Sequence, residues 1–138
     1  MPRTKAFVSY DHSEDAHYKW LLMAWDANSY FDFDFDSRGP NVAIDSNDAA
    51  VVKSSLTKKL MSATHLLVIV GSKSSKSKWI YWEITRAKQN DIRLKIAAVK
   101  LDQSNISPPE LLSSGTSWAT SFERDRIVAP LRNATNSY

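Results

Sequence analysis

An uninterrupted apolar run at positions 66–70 is the feature that most restricts the fold of this chain. A strand with no polar face has to be covered on both sides, as in the centre of a parallel sheet. The run is far shorter than the roughly 20 residues that cross a bilayer. Further apolar segments at 6–8 and 95–101 alternate with helical segments. This alternation predicts a parallel sheet with helices on both faces.

Three segments between these strands have the periodicity of amphipathic helices. Ser13 is a suitable N-cap for the first helix, and Ser46 or Asp48 for the second, which extends to Met61. The third helix is predicted at residues 79–90. The apolar stripes expected to face the core are Tyr18, Leu21, Leu22 and Trp25; Val52, Leu56 and Leu60; and Ile80, Ile84 and Ala87.

Phenylalanine and aspartate alternate at positions 31–36, so the rings share one face of a strand and the carboxylates share the other. A strand with one wet face suits a sheet edge, here outside strand one. The resulting order, 2-1-3-4-5 in a sheet of about five strands, is a flavodoxin-like three-layer α/β fold. On such a strand, each of Asp32, Asp34 and Asp36 would lie roughly 6.5–7 Å from the next. Three carboxylates at that spacing do not easily bind one magnesium ion, so a solvated sheet edge explains them better.

The last third of the chain has a weaker pattern. Pro108 suits the start of a short helix through Leu112, and residues 118–122 suit a final strand. Pro130 lacks a backbone donor, so a last helix either begins near Ala129 or is broken there. We expect a single domain over residues 1–132 and a frayed tail at 133–138.

The ligand crevice of such a sheet lies at the carboxyl ends of strands one and three, where the winding reverses. Residues 9–13 and 71–83 should therefore line it. Within them Trp79 and Glu83 are four apart and project from one helical face. A carboxylate beside a tryptophan is partly desolvated, which favours its protonated form unless donors compensate. The alternative is a surface pairing of Glu83 with Arg86 or Lys76.

Composition excludes several other classes of protein. The 138 residues suit one domain, and the absence of cysteine excludes disulfide scaffolds, thiolate metal sites and cysteine nucleophiles. A net charge of +3 is too small to indicate nucleic-acid binding. No Gly-rich fingerprint of a dehydrogenase or P-loop enzyme follows strand one. Without an export signal or a membrane segment, a cytoplasmic location is expected.

Two motifs at the predicted crevice resemble those of TIR domains. Residues 7–10, Phe-Val-Ser-Tyr, resemble the first TIR strand, and residues 77–84, Ser-Lys-Trp-Ile-Tyr-Trp-Glu-Ile, resemble the TIR Trp-x-x-x-Glu helix. Together with residues 31–36 they are most similar to the TIR-like, ThsB-type proteins of bacterial Thoeris anti-phage defence. The similarity covers roughly residues 5–101.

The resemblance implies an NAD-consuming enzyme in which Glu83 is the catalytic carboxylate. It implies that NAD is a substrate, that neither a metal nor a resident cofactor is required, and that a cyclic ADP-ribose-type messenger, or a related ADP-ribose product, activates a partner effector. Trp79 would pack against substrate or exclude water. The other candidate substrate-binding residues are the hydroxyls of Ser9 and Tyr10, His12 and Asp36 near the crevice, and Lys73 facing the diphosphate with Lys76 and Lys78.

Two other functions remain open from the sequence. One is a non-catalytic TIR-like scaffold that binds other TIR domains through loops near Arg38 and residues 71–78. The other is an enzyme similar to nucleoside deoxyribosyltransferases, which share the fold type and a glycosidic carboxylate. Many TIR domains have Arg-Asp followed by Pro-Gly in the loop after the second strand, whereas residues 36–40 here are Asp-Ser-Arg-Gly-Pro. This is the loop that makes head-to-tail contacts in signalling TIR assemblies.

Overall fold

A computed structural model describes residues 4–11, 17–26, 31–35, 43–112, 115–119, 122, 124–136 and 138. Within these ranges, five strands form an all-parallel sheet in the order β2-β1-β3-β4-β5. The strands are β1 (Thr4–Ser9), β2 (Phe31–Phe35), β3 (His65–Val70), β4 (Lys95–Lys100) and β5 (Ser117–Ala119). The predicted flavodoxin-like order is confirmed.

Helices cover both faces of the sheet. They are α1 (His17–Asp26), α2 (Ala49–Ser62), α3 (Lys78–Ala87) and α4 (Arg124–Asn133), with 3-10 turns at Ser74–Lys76 and Pro109–Leu111. One core layer joins α2 and α3 to the sheet, and the other joins α1 and α4 to it. No helix in the described ranges combines the length and the apolar character needed to cross a membrane.

β3 occupies the centre of the sheet because it has no polar face. All six of its residues are buried, and it pairs with β1 on one side and β4 on the other. Leu66, Val68 and Val70 face the α2–α3 layer, whereas Leu67 and Ile69 face the α1–α4 layer. This two-sided burial is what the continuous apolar run predicts.

The alternating strand β2 lies at the sheet edge, as expected, but its carboxylate face is not simply solvated. Asp34 is half-buried beneath α2. Lys59 of α2 places Nζ 3.5 Å from Asp34 Oδ1 and donates to the Phe35 carbonyl at 2.8 Å. Asp34 therefore helps to join β2 to α2, which the sequence pattern alone does not indicate.

Two helical expectations are wrong. Leu21 was expected in the inner stripe of α1, but 42% of it is exposed, whereas Leu22 beside it is fully buried. α4 neither begins near Ala129 nor breaks at Pro130, because the proline lies inside a continuous helix. Burial of Ile127 and Leu131 on either side of the proline stabilises that helix despite the missing donor.

The tail at 133–138 was expected to fray, but its described residues are held against α3 and β4. The Ile96 amide donates to the Thr135 carbonyl at 3.1 Å. Arg93 and Asn136 exchange two hydrogen bonds through their side chains and carbonyls, at 2.8 and 3.2 Å. The Tyr138 hydroxyl donates to the Leu94 carbonyl at 2.8 Å, beneath the Arg93 guanidinium. These bonds are long-range, so local composition does not predict them.

Replacing Tyr138 with phenylalanine tests this anchor. Tyr138→Phe removes the hydroxyl that satisfies the Leu94 carbonyl, so the free energy of unfolding should fall by about 1 kcal/mol. Urea denaturation measures the change. Tyr81→Phe, at an exposed tyrosine on α3, is the matched control and should alter the free energy by less than about 0.5 kcal/mol. Equal effects of the two variants would contradict the anchoring role.

His65 opens β3 in a buried position opposite Lys95 of β4. Burial, reinforced by the positive charge of Lys95, lowers the pKa of His65 to about 4. The folded state therefore keeps the imidazole neutral at a pH where the unfolded chain protonates it.

The linked prediction is a loss of stability in mild acid that depends on His65. The folded-state pKa of His65, about 4, lies below its ordinary value of 6.5. The contribution of neutral His65 to the free energy of unfolding is therefore complete above pH 6.5 and is lost as the pH falls towards 4. The full loss is about 3 kcal/mol. Urea denaturation from pH 8 to pH 4 should show a shallower decline for His65→Gln, while the exposed His17→Gln should follow the parent chain. Parallel profiles for all three proteins would contradict this linkage.

Candidate active site

A buried hydrogen bond joins the end of β1 to the inner face of α3. Ser9 Oγ donates to Glu83 Oε1 at 2.7 Å, across 74 positions of sequence. Both residues are 0% exposed. The contact lies at the carboxyl ends of β1 and β3, where the strand order reverses. That is where a ligand crevice is expected in a doubly wound sheet.

Strand alternation and helical spacing explain why these two side chains meet. Ser9 follows Phe7 at a two-residue interval, so both point towards the α2–α3 layer. On α3, Glu83 lies between Ile80 and Ile84, which are both fully buried in that layer. The sheet and the helix stripe therefore bring a serine and a carboxylate together inside the core.

A surface ion pair of Glu83 with Arg86 or Lys76, the alternative open from the sequence, does not match the burial of Glu83. Arg86 instead forms a two-pronged pair with Asp91, its nitrogens 2.8 and 2.9 Å from the carboxylate oxygens. Hydrogen bonding from the Arg86 guanidinium lowers the pKa of Asp91. Arg86 bonds Asp91 at the surface of the protein, whereas Glu83 is completely buried.

Trp79 is one turn before Glu83 and is almost completely enclosed. Only 5% of it is exposed, and its ring meets that of Trp82 edge to face, with centroids 6.0 Å apart. It belongs to the core layer beneath α2 and α3. In this arrangement the indole contributes an apolar wall to the region of the carboxylate rather than an open binding surface.

Ser9 and Tyr10, whose hydroxyls are both candidates for binding substrate, lie in different layers. The Tyr10 side chain is buried in the α1–α4 layer, where its ring meets Phe35 edge to face at 6.5 Å. Consecutive residues of an extended segment point to opposite faces, which accounts for the separation. Only Ser9 of this pair faces Glu83.

The connection from β3 to α3 is held by serine side chains. Ser74 is buried; its Oγ accepts from the Gly71 amide at 2.8 Å and donates to the Ile69 carbonyl at 3.0 Å. Ser77 caps α3 by accepting from the Ile80 amide at 3.2 Å. Ser74 was not singled out from the sequence. A serine three residues after a strand-ending glycine was the available signal.

The loop after β4 also returns to the end of β3. The Val70 carbonyl accepts from the Leu101 amide and from Asn105 Nδ2, each at 3.1 Å. Asn105 was not singled out from the sequence, because no periodicity or motif connects it with β3. Its contact ties the β4–β5 loop to the same strand end as the β3–α3 connection.

The remaining candidate residues lie at the rim or outside the described ranges. Lys73, Lys76 and Lys78 are exposed around the start of α3. His12 and Asp36 fall outside the described residues. Within the described part of the chain, no three histidine, aspartate or glutamate side chains are grouped as metal ligands.

This arrangement supplies a carboxylate whose position is set before any ligand arrives. A hydroxyl donor orients one of its oxygens, and the surrounding packing excludes solvent from both residues. A fixed negative charge in a poorly solvated site interacts strongly with a positive charge that develops nearby. The geometry therefore suits reactions that pass through a cation.

Comparison with known proteins places this fold and site in context. Residues 7–106 match the family described as Thoeris protein ThsB, TIR-like domain. No curated protein matches the sequence. A similar solved structure is that of the TIR domains of the activated Roq1 resistosome directly recognizing the pathogen effector XopQ, with a TM-score of 0.51 and 15% identity. The likeness covers 70% of this chain and 57% of that chain, and at such identity it shows the fold.

The family match carries more information than the structural likeness because it extends over most of the chain. It also includes both TIR-like motifs, residues 7–10 and 77–84. The chain belongs to the TIR-like domain family of Thoeris ThsB proteins.

Proposed function

We propose that this protein cleaves the nicotinamide–ribose bond of NAD, with Glu83 as the catalytic carboxylate, in bacterial anti-phage immunity. The supporting observation is the buried Ser9–Glu83 hydrogen bond at the carboxyl ends of β1 and β3. Family membership supports the same reaction class, since some TIR domains are NAD-cleaving enzymes. The product would be a cyclic ADP-ribose-type messenger or a related ADP-ribose, which then activates a partner effector.

The chemistry needs electrostatic stabilisation more than proton transfer. When the ribose C1′–N bond breaks, its electron pair leaves with nicotinamide, which departs as a neutral base. The ribose carbon is left with oxocarbenium character, and a fixed carboxylate stabilises that charge. In this proposal ionised Glu83 supplies that negative charge, while Ser9 donates its only hydroxyl proton to Glu83. Ser9 therefore orients the carboxylate instead of donating to the ribose.

Capture of the ribose carbon determines the product. A water oxygen that forms the new bond and then loses its proton gives ADP-ribose, whereas a nucleophilic atom of the same nucleotide gives a cyclic isomer. Exclusion of water favours the intramolecular route. Trp79 and the apolar residues of the α2–α3 layer provide nonpolar packing on the inner face of α3, where Glu83 is buried, and this supports the cyclic product.

Substrate entry requires movement near α3. Neither Ser9 nor Glu83 has exposed surface in this structure, so NAD reaches the carboxylate only after neighbouring groups separate. Activation by a trigger or by self-association would supply that opening. The exposed lysines at positions 73, 76 and 78 are near enough along the chain to meet an incoming diphosphate.

Complete burial of Glu83 also favours a second candidate function, a non-catalytic TIR-like scaffold. In that case the Ser9–Glu83 bond would only join α3 to β1. Association with other TIR domains would then be the function, as the resistosome described for the Roq1 neighbour illustrates for that protein. The two candidates differ in whether the charge of Glu83 is needed for nicotinamide release.

Removing that charge is the test of the enzymatic proposal. Purified protein incubated with NAD should release nicotinamide, and Glu83→Gln should reduce the rate at least about 100-fold because the amide cannot stabilise the cation. Chromatography resolves nicotinamide, ADP-ribose and cyclic isomers. Glu110→Gln makes the same chemical change on the 3-10 turn after β4 and should keep full activity. Absence of nicotinamide over a wide range of protein concentrations would support the scaffold instead.

A double-mutant cycle measures the contact itself, independently of activity. Ser9→Ala removes the donor from a buried carboxylate, so the free energy of unfolding at pH 7 should fall by about 1–3 kcal/mol. In the Glu83→Gln background the same change should cost less, giving a coupling energy of about 1–2 kcal/mol. Urea denaturation of the four proteins provides the values. A coupling energy below about 0.5 kcal/mol would contradict a charge-assisted Ser9–Glu83 bond.

A further inference from the structure

We infer that Ser74 is a positioning residue that sets the location of α3, and with it Glu83, relative to Ser9. Ser74 does not contact Glu83 in any described hydrogen bond, and it acts through the backbone at the end of β3. Its effect on α3 is independent of activity, whereas its catalytic consequence rests on the proposed function.

The Ser74 hydroxyl is used completely by two backbone groups. Its oxygen accepts from the Gly71 amide at 2.8 Å, and its proton goes to the Ile69 carbonyl at 3.0 Å. The residue is 1% exposed, so solvent cannot replace the hydroxyl in either contact. A buried serine that satisfies both a donor and an acceptor is a structural element rather than a loop surface residue.

The direction of these bonds places Ser74 on the β1 side of β3. Val70 directs its carbonyl towards Leu101, just beyond the end of β4. Successive residues of a parallel strand bond to alternate sides, so Ile69 and Gly71 direct their groups towards β1. The described pairing of β1 with β3 ends at Ser9 opposite Val68. The Ser74 hydroxyl therefore provides hydrogen-bond partners for Ile69 and Gly71 beyond the last described pair of β1 and β3.

The backbone of Ser74 connects the same point to α3. Its carbonyl accepts from the Ser77 amide at 3.2 Å, and Ser77 is the N-cap whose side chain accepts from Ile80. The end of β3, the 3-10 turn and the first turn of α3 thus form one hydrogen-bonded chain through Ser74. Glu83 lies on the second turn of that helix, so a shift of the first turn moves the carboxylate away from Ser9.

Loss of the Ser74 hydroxyl leaves the Ile69 carbonyl and the Gly71 amide without this partner in a buried place. Such groups recover hydrogen bonds by moving towards water, which requires the connection to open. Because α3 begins four residues after Ser74, its start has to follow. Displacement of a catalytic group by about 1 Å is enough to cost about 100-fold in rate.

Ser74→Ala in the full chain tests this inference, with Thr116→Val as the matched control. Thr116 also donates a side-chain hydrogen bond to a backbone carbonyl, that of Leu111 at 2.9 Å, but it precedes β5, the edge strand two positions away from β3. Both variants lose one hydroxyl that donates to a backbone carbonyl. Only Ser74→Ala should accelerate amide hydrogen exchange over residues 71–83, by about 10-fold or more at amides that open locally.

Kinetics with NAD provide the second measurement. Ser74→Ala should lower kcat about 10- to 100-fold with KM changed less than about threefold, because the carboxylate is displaced while the substrate surface remains. Thr116→Val should keep the kcat of the parent chain. If Ser74→Ala does not fold, Ser74→Cys, which keeps a weak donor and acceptor, should show the same changes in smaller size.

The outcomes separate this inference from the proposed function. Equal exchange over residues 71–83 in the Ser74 and Thr116 variants would overturn the positioning role, whatever the activity. Accelerated exchange with unchanged kcat in an active protein would also overturn it. If the parent chain releases no nicotinamide, the enzymatic proposal fails, and the exchange comparison alone decides whether Ser74 holds α3.

Discussion

The buried hydrogen bond between Ser9 and Glu83 is the interaction on which the organisation of this domain most depends. A carboxylate without exposed surface is costly unless donors replace the water that it loses. Here a serine at the end of β1 provides a donor at 2.7 Å. The bond requires β1 and α3 to keep their relative positions, because Ser9 lies at the end of β1 and Glu83 lies on α3. β3 is held in the same way, since it pairs with β1 and precedes α3 in the chain. Structural stability and the chemistry proposed for the site thus share one contact.

Reversal of the strand order concentrates polar groups at one place. At the carboxyl ends of β1 and β3 the strands stop pairing, so backbone amides and carbonyls need other partners. Ser74 and Asn105 satisfy those of Ile69, Gly71 and Val70. The loops beside the site are consequently ordered by side-chain contacts to the backbone, even though they have no regular secondary structure over most of their length.

Strong periodicity made most of the fold predictable. The apolar run of β3, the alternation of β2 and the stripe of α3 each correspond to one burial pattern, and the strand order follows from them. The juxtaposition of residues 9–13 with 71–83 followed from that order, although the role of Glu83 came from resemblance to TIR domains. Pro130 misled because burial of Ile127 and Leu131 outweighed the local rule, and Leu21 misled because the buried position of that turn belongs to Leu22.

The sequence by itself determined the layers, the strand order and the presence of an acidic residue on the inner stripe of α3, since these depend on spacings of a few residues. Only the tertiary structure decided that Ser9 donates to Glu83, that Tyr10 lies in the other layer, and that Tyr138 is anchored to Leu94. Those contacts join residues far apart in the chain. Their partners are selected by the three-dimensional path of the backbone, which no local pattern encodes.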